Sequence, residues 1–487
     1  MKGSAIMTIF VGRDRELRLL NDLDQRQGAQ LLVLYGRRRI GKTRLITHWG
    51  NQLDIPYFYW MASQTSAVNQ LRQFSQALFR FLNPQATVGA EFSYSSWDAA
   101  FAEVSRATQT KRLVMVLDEI TYVMQADSEV PSLIQRAWDH QLKGTNLFLI
   151  LTGSLAGLIQ RTVLDYHAPL YGRATARLKL QPLSFGALAH LLPNYTSEQR
   201  VAVHTITGGV PAYIEMFDDQ QNILQNLRQR IVTPTNAMLT DAAFLLHEQL
   251  ETPRNYIAII EAIAAGFHKY TDIAKMSGID RSNITKYLSI LQELGYVERQ
   301  VPATVRRPEQ SRQGRYVIVD PYLRFYYRFL APYRGAIEQG RIRQATALLY
   351  DHLLDFIGTH TFEELCRDWV GVVSEMDNFP FLPENIGSHW SKQAQVDVVA
   401  ISWRSKTILL GECKWGKKPV GKAVIETLVS KTSKVLPKTG TWKVFYAFFA
   451  RNGFTLPAQA VAHQHGAQLI TLAQLESDMQ SWLSFVD

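Results

Sequence analysis

The sequence predicts a multidomain α/β protein, and three observations carry that expectation. Short apolar runs alternate with helical stretches between residues 31 and 151, the pattern of a parallel sheet flanked by helices. Residues 255–330 change to three short helical stretches followed by two short strands. From residue 340 onward helix and strand mix again, and the apolar run Thr407–Leu410 leads into Gly411-Glu412-Cys413-Lys414-Trp415. At 487 residues the chain exceeds one ordinary core, and about two to four domains fit that length.

Hydrophobic residues make up 46% and charged residues 20%, a globular balance. No apolar run approaches the roughly 18 residues a membrane span needs, so no membrane partner is expected. Met1–Phe10 lacks the apolar core and cleavage site of a signal peptide, and Met7 is a second candidate start. Two cysteines, Cys366 and Cys413, cannot build a disulfide framework or a four-Cys zinc site. A reducing cytoplasm is therefore the expected compartment. The formal charge is +9, and between Ser388 and Lys443 eleven Lys/Arg face three Asp/Glu. Such a surplus suits a polyanion partner, a solubilising surface being the plainer alternative.

The segment from Phe10 to Leu20 begins helically, and Leu31–Tyr35 reads as a strand. Gly36-Arg37-Arg38-Arg39-Ile40-Gly41-Lys42-Thr43 follows, and helical periodicity resumes from Arg44. This fits G-x-x-x-x-G-K-[ST] between a strand and a helix, the context that gives the pattern meaning. Backbone N–H groups of the loop surround phosphate, and the helix N-terminus adds partial positive charge. Lys42 would reach the β/γ-phosphates of ATP, and the Thr43 hydroxyl would bind Mg²⁺. Leu113–Leu117 and Leu147–Leu151 read as two more buried parallel strands. The first ends in Asp118-Glu119: Asp118 would hold Mg²⁺ through water, and Glu119 would orient the attacking water as general base. The second ends in Thr152-Gly153-Ser154, where Ser154 would stand near the γ-phosphate. Arg173 is a candidate arginine finger, with a structural arginine as the alternative.

Phe10-Val11-Gly12-Arg13-Asp14-Arg15-Glu16, GRRRIGKT, LDE, LTGS and Gly208-Gly209-Val210-Pro211 together resemble the AAA-related signal-transduction (STAND) ATPases. In particular they resemble the archaeal-type ATPases fused to a winged helix and a C-terminal DUF234 domain. The resemblance covers nearly the whole chain. It implies adenine contacts near Val11 and Gly12 and a nucleotide-sensing role near Pro211. The expected domains are a P-loop ATPase core over 8–183, a helical lid over 184–250, a winged helix over 251–335 and an α/β domain over 340–487.

In the winged helix, Tyr256, Ile259, Ile260 and Ile263 recur at helical spacing, Thr271–Met276 suits a second helix and Ser282–Leu294 a third. Arg281, Asn283 and Lys286 would face a major groove. Arg299, Arg306, Arg307, Arg312 and Arg315 would decorate the wing and meet phosphates. Packing as a lever on the nucleotide domain is the competing reading.

Gln395–Ile401 reads as a strand, Trp403–Ser405 as a turn and Thr407–Cys413 as its partner, so Asp397 can sit across from Glu412. A carboxylate pair can hold Mg²⁺, which prefers oxygen ligands. Such a metal lowers the pKa of a bound water and stabilises charge on a phosphodiester. Glu412 and Lys414 share a strand face, being two residues apart. Glu363, with Glu364 as runner-up, offers a third carboxylate on the preceding helix. D-x14-E-x-K after a helical Glu resembles the PD-(D/E)XK nuclease superfamily, with Val396 where that superfamily often has proline. The resemblance implies a catalytic set of Glu363, Asp397, Glu412 and Lys414, with Asp397 and Glu412 on the metal and Lys431 as a phosphate contact. Lys417 and Lys418 extend the basic surface towards DNA.

The function expected is an Mg²⁺/ATP-dependent DNA-binding ATPase joined to a metal-dependent DNA endonuclease, with nucleotide state regulating DNA engagement. The alternative is a nucleotide-controlled DNA-binding or signalling regulator with an inactive nuclease fold. ATP and Mg²⁺ are the expected cofactors, with Mn²⁺ as a substitute at the second site. DNA is the expected partner, and homo-oligomerisation is left open.

Overall fold

The computed structural model describes residues 10–247, 249–250, 252–376 and 379–485. The candidate start at Met7 and the first residues of the expected core lie outside them. The chain divides into two compact units, one of Arg13–Pro182 with His247–Glu251, the other of Met1–Gly12, Leu183–Leu246 and Thr252–Asp487.

The first unit is built on five strands: β1 (Gln30–Tyr35), β2 (Tyr57–Met61), β3 (Leu113–Asp118), β4 (Leu147–Gly153) and β5 (Ala176–Lys179). All pair in parallel, in the order β2-β3-β4-β1-β5. β1, β3 and β4 are buried on both faces, which is why they read as unbroken apolar runs. β2 alternates instead. Its Phe58 and Trp60 turn inward onto Phe74, and Phe74 meets Trp97 at 5.0 Å between ring centroids. The C-terminal ends of β3, β4 and β1 are neighbours. The residues after them therefore share the sheet edge where open α/β sheets bind ligands.

The second unit contains three of the four expected segments. Its lid region holds several short helices and two longer ones, Ala237–His247 and Ser197–Thr207, the latter started by a reciprocal Thr196/Gln199 capping box and stopped by left-handed Gly208. Helices Arg254–Ala264, Tyr270–Ser277 and Arg281–Glu293 lead into an antiparallel pair, β6 (Val297–Gln300) and β7 (Arg315–Ile318). The C-terminal sheet comprises β8 (Asn385–Trp390), β9 (Gln395–Ser402), β10 (Thr407–Lys414), β11 (Lys443–Ala450) and β12 (Gln468–Thr471). They lie in the order β12-β11-β10-β9-β8, with β9 and β10 as an antiparallel hairpin and β10 to β12 parallel. Helix Glu363–Glu375 packs across β8 and β9, and a π-helical stretch, Ile357–Phe362, precedes it.

Helix Ser197–Thr207 is bonded to the C-terminal part at both ends. Arg200 grips Glu476 through Nε at 2.6 Å and Nη2 at 2.8 Å, Glu198 pairs with Arg451, and Thr205 Oγ1 donates to Thr361 Oγ1 at 2.9 Å. The wing loop between β6 and β7 is not a free arm. The Ala303 N–H donates to the Ser388 carbonyl at 2.8 Å, and Trp390 Nε1 donates to the Gln313 carbonyl at 3.1 Å. The loop is thereby docked on β8.

Candidate functional site

The phosphate loop leaves β1 at Gly36, whose φ of 156° and closeness to the Leu180 carbonyl, 2.7 Å from where a Cβ would stand, admit only glycine. Arg39 takes a left-handed φ of 65° and Gly41 one of 96°, so the chain curls before the helix. That helix opens at Lys42, two residues earlier than the periodicity predicts. Ile40 is fully buried beneath the loop, and the Lys42 Nζ donates to the carbonyls of Gly36 at 3.0 Å and Arg37 at 3.4 Å. Arg38 is exposed, whereas Arg37, Arg39 and Arg44 are half-buried. Arg13 is 6% exposed and donates to the Ile40 carbonyl at 3.1 Å, bracing the loop from behind.

Asp118 ends β3 fully buried and collects donors from four directions. Thr43 Oγ1 reaches its Oδ2 at 2.7 Å and the Tyr59 hydroxyl reaches the same oxygen at 2.6 Å. The Thr152 hydroxyl and the Glu119 N–H, the latter at 3.0 Å, reach Oδ1. Burial and Asp118 together push the Tyr59 phenol well above its ordinary range, so Tyr59 stays a donor. Glu119 takes a left-handed φ of 53°, a strained backbone for a non-glycine residue. Its Oε2 accepts from the Ser154 N–H at 3.1 Å and the Ser154 hydroxyl at 2.8 Å, and its Oε1 lies 3.9 Å from Lys42 Nζ. Ser154 therefore orients Glu119. The Thr43 hydroxyl and Asp118 carboxylate form a pair of hard oxygen donors beside the loop, a set that fits Mg²⁺.

Arg173 stands elsewhere. It meets Asp139 in a fork, through Nε at 3.0 Å and Nη2 at 2.8 Å, and its Nη1 donates to the carbonyls of Pro169 and Tyr171. All three guanidinium nitrogens are engaged, so here it is a brace rather than a finger. Val11, Gly12 and Pro211 belong to the second unit. There Gly12 packs against Ala187, the Leu183 N–H donates to the Gly209 carbonyl at 2.8 Å, and Pro211 opens the short helix Pro211–Ile214.

The second cluster lies at the open end of the β9–β10 hairpin. The ladder pairs Gly411 with Val398, so the next residues, Glu412 and Asp397, face one another. Asp397 Oδ2 accepts the Cys413 N–H at 3.0 Å. Lys414 Nζ donates to Glu412 Oε1 at 2.7 Å, while Glu412 Oε2 is buried without a hydrogen-bond partner among the described residues. Glu363 joins from its helix, 3.5 Å from Arg367, and Arg367 Nη1 donates to the Asp397 carbonyl at 2.9 Å. Glu364 turns the other way, onto Arg324 at 2.7 Å.

Burial, then the charge of Asp397, pushes the Glu363 carboxyl up to about 8. Asp397 is raised by burial and by Glu412. Burial lowers Lys414, but its bond to Glu412 and the nearby acids outweigh that and leave it raised. A cleft of about 830 Å³ runs past Glu363, Asp397, Glu412, Lys414, Lys417 and Lys431. Lys431 Nζ donates to the Gln395 carbonyl at 3.3 Å. Cys413 and Cys366 are buried free thiols behind the site.

The expected three-carboxylate metal shell is not assembled. Among the described residues no three His, Cys, Asp or Glu side chains converge closely enough to hold a metal ion. The reason is local pairing: Lys414 occupies one oxygen of Glu412, and Glu363 leans on Arg367. The donor set of Asp397 and Glu412 nevertheless fits a hard cation. Two carboxylates oppose each other, one keeping a buried oxygen unpaired.

The basic residues also separate. Arg281, Asn283 and Lys286 are exposed on the helix whose Ile284, Leu288 and Leu291 are buried. Arg306, Arg307, Arg312, Lys417 and Lys418 are exposed as well. Arg299 and Arg315 are held against the protein rather than extended from the wing. Arg299 donates to carbonyls of Pro308 and Ser311, and Arg315 lies 4.5 Å over the Trp390 ring. Sequence reasoning missed Arg13, Tyr59, Arg367 and Arg451 as parts of these sites. A signal existed for two of them: Arg13 lies inside the Phe10–Glu16 box, and Arg367 stands one helical turn after Glu363.

Two family models match. Residues 10–217 match an ATPase domain predominantly from Archaea, and residues 326–426 match DUF234, archaeal and bacterial proteins of unknown function. An uncharacterized protein of Methanocaldococcus jannaschii, MJECL04, is 30% identical over 409 residues, covering 84% of this chain and 88% of that one. Among solved structures, the Walker-type ATPase PABY2304 of Pyrococcus abyssi is 19% identical at a TM-score of 0.48, covering 66% of this chain and 96% of that one. Cdc6p of Pyrobaculum aerophilum is 16% identical at a TM-score of 0.33, covering 70% and 97%.

Proposed function

The chain belongs to the archaeal-type ATPases that carry a C-terminal DUF234 domain, and on that premise we propose that it couples ATP hydrolysis to metal-dependent cutting of DNA. The observation that carries the second half is the meeting of Asp397, Glu412, Lys414 and Glu363 at one lysine-lined cleft.

In the ATPase half, Lys42 balances phosphate charge at the loop, and Thr43 and Asp118 hold Mg²⁺. Glu119, steadied by Ser154, takes the proton of the attacking water. In the C-terminal half Asp397 and Glu412 hold a divalent cation, which supplies Lewis-acid stabilisation and an activated water. Lys414 lies beside them to meet negative charge developing on the phosphate. Arg367 fixes both the Asp397 backbone and Glu363, so it sets the spacing of the acids. DNA reaches the cleft over Lys417, Lys418 and Lys431, and Arg281, Asn283, Lys286, Arg306 and Arg307 offer a second DNA contact.

The test is incubation of the full chain with plasmid and single-stranded DNA, Mg²⁺ and ATP, with EDTA as control. Asp397→Ala or Glu412→Ala is expected to abolish cutting. Lys414→Ala is expected to slow it by roughly 10²–10³-fold, the worth of one positioned charge in a transition state. Cutting that survives both carboxylate substitutions rejects this site. One observation favours a second reading, a nucleotide-controlled regulator with a silent nuclease fold: the Lys414–Glu412 ion pair engages two of the residues catalysis needs. No cutting by wild type under any nucleotide, with salt-dependent DNA binding retained, selects that reading.

A further inference from the structure

Beside the cleft lies a second, more enclosed cavity of about 200 Å³. It shares Thr359, Glu363, Gln395 and Asp397 with the cleft, so the two meet at the candidate catalytic acids. Much of the rest of its wall comes from the winged helix, through His268 and Arg315, and from β8, through His389 and Trp390, with Arg324, His360 and Arg367 completing it.

Two features of that wall ask for a guest. His389 is 8% exposed; its Nδ1 lies 2.8 Å from Thr304 Oγ1, and its Nε2 is buried without a hydrogen-bond partner among the described residues. An unmet buried nitrogen of this kind is costly unless something satisfies it. The second feature is Arg315. The other two arginines of the wall are matched by acids, Arg324 by Glu364 at 2.7 Å and Arg367 by Glu363 at 3.5 Å. Arg315 instead lies flat on Trp390, itself anchored through Gln313, and has no acid partner among the described residues. A stacked guanidinium keeps its edge N–H groups directed and available, the geometry that suits phosphate.

Size narrows the guest. The cavity is smaller than the roughly 300–1,000 Å³ of pockets for drug-sized ligands, so it takes one phosphate-bearing group and no base pair. We propose that this cavity receives the terminal phosphate of a single DNA strand whose cleaved bond lies at Asp397 and Glu412, which makes the site selective for strand ends. This rests on the nuclease reading of the cleft and adds the substrate's form. The winged helix acts here as the back wall of the site, whatever else its exposed face contacts.

The experiment separates the two ideas. The full chain is titrated by calorimetry, in Ca²⁺, with deoxythymidine tetranucleotides bearing a 5′-phosphate, a 3′-phosphate or hydroxyls at both ends. One phosphorylated form is expected to bind at least tenfold more tightly than the unphosphorylated one. His389→Ala and Arg315→Gln are each expected to erase that difference while the helical circular dichroism and melting temperature stay near wild type. Equal affinity of the wild type for all three probes overturns the proposal, and that comparison needs no variant. A preference that persists in both variants also overturns it. Cutting of the same probes in Mg²⁺ is scored separately. End preference without cutting supports the pocket and removes the nuclease reading. Cutting with no end preference removes the pocket and leaves the nuclease reading standing.

Discussion

Glu119 shows how much one residue is asked to do. Its left-handed backbone is held by Asp118 and its carboxylate by Ser154. Glu119→Gln is expected to bind ATP but hydrolyse it roughly 10²–10⁴-fold more slowly, the range for loss of a general base. Ser154→Ala should lower kcat by about tenfold with little change in ATP affinity, because it loosens the base without touching the phosphate loop. Unchanged kcat in Ser154→Ala, measured by phosphate release, would separate the serine from the mechanism. Glu363 carries a pH signature. The unfolded chain ionises this carboxyl near 4.5, whereas the folded chain keeps its proton up to about 8. Its stabilising contribution is therefore complete below about pH 4.5 and is lost as pH rises towards 8. In EDTA, Glu363→Gln should gain melting temperature relative to wild type progressively from about pH 5 to 8. A constant offset across that window would place the proton elsewhere.

At the scale of elements, helix Ser197–Thr207 is tied to its surroundings by a buried ion pair. Arg200 and Glu476 are 11% and 5% exposed, and their fork closes a loop of chain 276 residues long. Breaking such a buried pair by removing one partner costs about 3–5 kcal/mol, since it strands the other charge. Arg200→Ala should show a loss of that size in chemical denaturation. The double change Arg200→Met with Glu476→Leu should lie close to wild type, because two apolar side chains leave no buried charge. A loss under about 1 kcal/mol in Arg200→Ala would mean that the pair is solvated. The same helix ends at Gly208-Gly209-Val210-Pro211, the stretch that resembles a nucleotide-sensing motif, and its first turn reaches Arg451, which lies 5.1 Å over Trp415 next to Lys414. The wing is an element whose arginines divide between surface and packing roles. Of the four arginines in Pro302–Arg315, Arg306, Arg307 and Arg312 are exposed as expected, whereas Arg315 turns back onto Trp390, as Arg299 before the loop turns onto loop carbonyls.

For the whole molecule, the question is whether the ATPase and the parts proposed to meet DNA exchange free energy. Linkage makes any such exchange reciprocal: if ATP strengthens DNA binding by some factor, DNA strengthens ATP binding by the same factor. ATP titrations of Glu119→Gln with and without saturating DNA are expected to differ by about 5–150-fold, the usual range of coupling. Equal affinities would leave two activities on one chain without a switch.

The sequence alone determined what depends on neighbours along the chain. The phosphate loop was legible because G-x-x-x-x-G-K-[ST] needs eight consecutive residues and a strand before it. β1, β3 and β4 were legible because full burial makes them continuously apolar, and the three helices before β6 because their spacing is helical. Glu412 and Lys414 share a strand face by periodicity alone, and Asp397 follows from one short hairpin. β2 and β5 escaped notice: one alternates half-buried and buried aromatics, the other is four residues at a sheet edge. Only the tertiary structure decided which donors surround Asp118, that Arg173 serves Asp139, that Arg367 holds the Asp397 backbone, and that the wing closes a cavity beside the acids. The reason is common to all four. Each joins segments that local propensity builds separately, and packing rather than chain order selects the partner for a buried polar group.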